Sequence, residues 1–114
     1  MEVRLVALLA SFIEVSTEYA LARLEVTMLM PDAPVPPVIS RPSEASEDAL
    51  RREWPEIETA LDAARAYLKA VDREEGGHLK EESAYGWLRR TVKELDQYAR
   101  AVRWVLTITE REED

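Results

Sequence analysis

Five prolines fall between residues 31 and 42, in PDAPVPPVISRP, within a chain of 114 residues whose remainder is patterned almost throughout as helix. A proline ring fixes φ and removes a backbone donor, so this stretch is neither helix interior nor central strand. About thirteen residues of extended, proline-rich chain reach roughly 40 Å at ~3.1 Å each. The segment before it, wound as one helix, is about 40 to 45 Å long at ~1.5 Å per residue. The match predicts a crossover in which the proline-rich segment runs back along the bundle and delivers the second helix to the end where the first began. The first two helices are then parallel. Val35, Val38 and Ile39 are the expected anchors of such a segment in a helix groove; the competing expectation is a flexible linker. Pro34 to Pro37 also carry the PxxP spacing that polyproline-reading grooves bind, a spacing that a proline-rich connector produces by chance.

From Glu2 to Met30 the apolar residues Leu5, Leu8, Phe12, Val15, Tyr19, Ala22, Val26 and Leu29 recur at steps of three and four, the stripe of an amphipathic helix. At about 100° per residue, Val6, Ile13, Leu21, Leu24 and Met28 lie well off that stripe, and Arg4, Ser11, Glu14, Glu18 and Glu25 gather in one narrow polar strip. A helix that is apolar nearly all round needs cover on several sides, which predicts a central place for it. The second stretch, about residues 46–75, buries Leu50, Trp54, Ile57, Leu61, Ala64, Leu68 and Val71 on one side, with Ser43 or Ser46 as N-cap. Pro55 lies inside it, so the helix either starts near Trp54 or is kinked there. Gly76 and Gly77 end it, and a third helix of about residues 78–111 follows at once with Tyr85, Leu88, Val92, Leu95, Ala99, Val102 and Leu106 as its stripe. The expectation is a single all-α domain of three long helices, with the proline-rich connector at 31–45 and a tight antiparallel hairpin between the last two.

Charge and composition exclude more than they assign. A formal net charge of −8 repels nucleic acid and anionic lipid for the molecule as a whole. The absence of cysteine removes disulfides, thiolate metal sites and cysteine nucleophiles, and suits any compartment, the cytoplasm being the expected one. There is no Asn and one Gln, and Arg outnumbers Lys by twelve to three, a thermophile-like composition that GC-rich codons also produce. LVALLASFI near the start lacks the basic flank of a signal peptide, and Arg4, Glu14, Glu18, Arg23 and Glu25 are expected to keep the first helix from spanning a membrane.

No constellation of catalytic residues is legible. His78 is the only histidine and stands at a turn without a sequence-near nucleophile or carboxylate in a known grouping. Glu14 with Glu18, and Glu58 with Asp62, have the i, i+4 spacing of helical metal ligands, yet both pairs fall on outward faces and read as solvated charge. The chain is therefore expected not to be an enzyme and to use no metal, cofactor or small-molecule substrate.

Trp104 points nearly opposite the buried stripe of the third helix, with Ala101 and Ile108 beside it, and an aromatic on an outer face marks a second contact surface. Together with Ile13, Leu24 and Met28 of the first helix these are the expected partner interface. The expected partner is a second copy, giving a homodimer, or another helical protein, and the expected role is that of a scaffold or regulatory subunit. Residues 78–106 carry six basic and four acidic side chains, against nine and nineteen elsewhere. Arg89, Lys93, Arg100 and Arg103 form its basic stripe, suited to acidic helix 2, an acidic partner or, less favoured, the phosphates of a nucleic-acid assembly.

Overall fold

Apolar residues at steps of three and four wind one buried face onto each of three helices, α1 (Val3–Leu29), α2 (Glu47–Glu74) and α3 (Ser83–Glu113). The computed structural model describes residues 2–74 and 83–113, and contains no strand among them. His78, the Gly76-Gly77 helix stop and the expected tight hairpin lie outside the described residues.

The helices are held in different ways. α2 opens on a built cap: Ser46 Oγ accepts the Ala49 N–H at 3.2 Å, its carbonyl accepts the Leu50 N–H at 3.0 Å, and Glu47 and Asp48 meet the positive end of the dipole. Ser46 is the cap, and Ser43 does other work. Its N–H donates to one Glu53 carboxylate oxygen at 3.0 Å and its hydroxyl to the other, tying the end of the connector to α2 and holding the Glu53 pKa below its usual value. α2 runs on through Pro55. α1 has no such help, with no side-chain cap at Glu2, no acid in its first turn and no base in its last. Its stability rests on packing.

The packing corrects one expectation. α3, not α1, is the helix whose backbone lies close to both others; among the described residues α1 and α2 stay apart at the backbone. They meet through side chains, with the Phe12 and Trp54 rings 5.2 Å apart and tilted by 58°. Leu5, Phe12, Tyr19, Leu50, Leu61, Tyr85 and Leu95 are among the fully enclosed members of one apolar core shared by the three helices and Ile39. An apolar circumference records how much cover a helix needs, and α1 receives it on one side only.

Direction follows from the contacts. Arg4, at the start of α1, places its guanidinium 4.9 Å from the centre of the Trp104 ring, near the end of α3. Trp87, near the start of α3, shares a depression with Leu24 and Met28 at the end of α1. α1 and α3 are thus antiparallel. Between α2 and α3 three ion pairs, Glu58 with Arg103, Arg65 with Asp96 and Asp72 with Arg89, advance seven residues on one helix as they retreat seven on the other. Those helices are antiparallel too, which sets α1 and α2 in the same direction.

α1 also has the length and composition of a membrane-crossing helix, since an 18-residue window with no more than two charges averages a mean hydropathy of 1.5; core helices of soluble proteins pass the same test, so the membrane expectation is not overturned by it.

Candidate interaction surface

The connector is gripped by side chains from both neighbouring helices. Tyr19 of α1 donates its hydroxyl to the Pro37 carbonyl at 2.5 Å, Arg23 Nε donates to the Pro36 carbonyl at 2.8 Å, and Tyr67 of α2 donates to the Pro34 carbonyl at 2.6 Å. Prolines lack the N–H that would pair such carbonyls within the segment, so the donors must come from outside it. Burial pushes the Tyr19 hydroxyl up to about 12, against a smaller opposing pull from Arg23. Burial raises Tyr67 as well, helped by the neighbouring Tyr85 hydroxyl. Ile39 is 7% exposed, whereas Val35 and Val38 stand out in solvent. Of the three expected anchors, Ile39 is the one that is seated. Within the PxxP stretch the carbonyls of Pro34, Pro36 and Pro37 are engaged within the chain.

Opposite the core, α1 presents its second apolar face. Leu24 is 53% exposed and Met28 71%, while Ile13 is half-buried at the edge of the face. Val3, Val6, Ala10 and Leu21 continue the same face to the N-terminus, all exposed. Beside its N-terminal half, Val6, Leu9, Ala10 and Ile13 form an open groove of about 480 Å³ with connector residues 42–45. Sequence reasoning placed Ile13, Leu24 and Met28 on this face but missed Val3, Ala10 and the groove. The three-four spacing of Val3, Val6, Ala10, Ile13 and Thr17 was the available signal.

On α3, Trp104 is 56% exposed with Arg4 stacked on it, and Ala101 and Ile108 are half-buried. A cation over an indole face contributes about 0.5–1 kcal/mol at an exposed site, so the ring is steadied at one end of α1 without being enclosed. The six residues expected at the partner interface thus divide between the outer face of α1 and an aromatic edge at one end of the bundle.

The basic stripe of α3 is largely spoken for. Arg89 pairs with Asp72 and Arg103 approaches Glu58 at 3.9 Å, both across to α2, while Arg100 lies 3.1 Å from Asp96 of its own helix. Lys93 is exposed and forms no ion pair among the described residues. The groove between these charges, lined by Asp62, Arg65, Asp96 and Arg100 among others, carries both signs. No group of three or more metal-ligating side chains is assembled among the described residues. Glu14 and Glu18 are exposed, and Asp62 pairs with Arg65. The chain matches no family model, no curated protein and no solved structure.

Proposed function

We propose that the protein is a non-catalytic, cytoplasmic interaction subunit, a small scaffold or regulatory protein that acts by packing its helices against a second copy or another helical protein. The observation that carries this reading is the exposed apolar face running the length of α1, a larger patch than isolated surface apolar residues account for. Trp104, with Ala101 and Ile108, supplies an aromatic anchor at its edge. In the same reading residues 31–45 are an ordered crossover, since the tyrosine and arginine donors of two helices hold its carbonyls. Contact with nucleic acid through Arg89, Lys93, Arg100 and Arg103 is the weaker reading, because most of these charges already face acids.

Light scattering of the purified protein tests the reading. The wild-type is expected to exceed the 13.0 kDa of one chain, and Trp104→Glu and Met28→Glu are expected to move it toward that mass with helix content retained. A monodisperse wild-type monomer whose thermal stability neither substitution alters overturns it.

A further inference from the structure

We infer that the groove between α1 and α2 is a reader of polyproline II helix, filled here by the chain's own connector, and that it takes a proline-rich segment of another protein, with Pro-x-x-Ile or Pro-x-x-Pro spacing, when the connector leaves. What sits in the groove selects the occupant. Burial along the connector repeats every third residue: Ala33 is half-buried, Pro36 and Ile39 are buried, and Val35 and Val38 stand out in solvent. Three residues per turn is the period of the left-handed polyproline helix, against 3.6 for an α-helix and two for a strand. Pro36 and Ile39 therefore occupy two seats one turn apart.

The donors fit the same reading. Tyr19 and Arg23 of α1 and Tyr67 of α2 donate to the carbonyls of Pro37, Pro36 and Pro34 at 2.5, 2.8 and 2.6 Å. Aromatic walls facing a stiff, preformed segment are how polyproline-reading grooves bind. All three bonds go to backbone carbonyls, and Val35 and Val38 take no part, so the groove selects a backbone shape and two seats rather than this one sequence. α1 and α2 stay apart at the backbone among the described residues, which leaves room for a chain across them. Past Ile39, Glu53 and Glu56 line a depression of about 100 Å³ with Ser40 and Arg41. On a chain of net charge −8 that end favours a basic residue in the place of Arg41. A segment tethered at both ends has an effective concentration in the millimolar range, so the connector acts as a resident competitor that masks the groove.

A fluorescent, end-blocked peptide of residues 31–42 is the probe, titrated by anisotropy. Wild-type is expected to bind it weakly, because its groove is filled. Ile39→Ala loosens the connector and is expected to bind roughly tenfold or more tightly. Ser43→Ala with Glu53→Gln frees the end of the connector without touching the core and is expected to bind roughly threefold more tightly. In the Ile39→Ala background Tyr67→Phe is expected to weaken binding about fivefold, and Met28→Glu, on the exposed α1 face, to leave it unchanged. A peptide carrying Val35→Thr and Val38→Thr is expected to bind as well as the parent, and one carrying Pro36→Ala and Ile39→Ala to lose binding. Circular dichroism accompanies each variant; if Ile39→Ala loses helix content, Ser43→Ala with Glu53→Gln carries the same comparisons. Loosened variants that bind no more tightly than wild-type, binding indifferent to Tyr67→Phe, or a loosened protein that dimerises by exchanging connectors with a second copy overturns the inference.

Discussion

Replacing Ile39 with alanine tests whether the connector is a seated element of the fold. Ile39 is 7% exposed and belongs to the shared core, whereas its neighbour Val38 is 62% exposed. Truncating a buried isoleucine to alanine costs about 2–5 kcal/mol from lost transfer energy and the cavity left behind. The site lies at the margin of the core, where solvent relieves part of the cavity, so about 2.5 kcal/mol is expected. With an unfolding entropy of ~2.1 cal/mol/K per residue, a chain of this size loses about 4 °C in Tm per kcal/mol, or roughly 10 °C in all. Val38→Ala removes atoms that already face water and is expected to stay within about 0.5 kcal/mol of wild-type. Urea unfolding followed by circular dichroism, with the two variants and wild-type at one pH, gives both numbers. Equal costs for the two substitutions would refute the seating of Ile39 and return the segment to a loose linker.

Two further outcomes follow from the charges and hydroxyls. A double-mutant cycle with Arg65→Ala and Asp96→Ala, both residues being partly solvent-exposed, is expected to show a coupling of about 0.5–1 kcal/mol, and a coupling of zero removes the ion-pair ladder as a contributor to the α2–α3 register. Tyr19 titrates at about 12 when folded against 10.0 for the free side chain, so the unfolded chain releases its proton first and stability falls as pH rises through that window. The loss is expected to be about 2 kcal/mol, bounded by the ~2.7 kcal/mol that the full rise from 10.0 to about 12 corresponds to; Tyr19→Phe should flatten the dependence of the urea midpoint on alkaline pH, and an unflattened curve assigns it elsewhere.

Periodicity alone fixes the three helices and their inward faces. Leu5, Phe12, Tyr19 and Val26 on α1, Trp54 and Leu61 on α2, and Leu88 and Leu95 on α3 are the buried residues their spacing announces. Those positions are legible because a helix repeats every 3.6 residues whatever surrounds it. The prolines of the connector are equally plain, since the ring acts on its own backbone.

Which helix stands between the other two is a different kind of fact. α1 has the larger apolar circumference, yet α3 has both neighbours, because position in a bundle depends on how two faces fit and not on how much one helix has to hide. The same holds for the seven-residue ladder of Glu58, Arg65 and Asp72 against Arg103, Asp96 and Arg89, and for Ile39 being seated while Val35 and Val38 are not. Each pairs residues far apart in the chain, and only the packed structure sets that register. Local sequence determines what each segment becomes; the meeting of distant segments decides which greasy face is enclosed and which stays exposed.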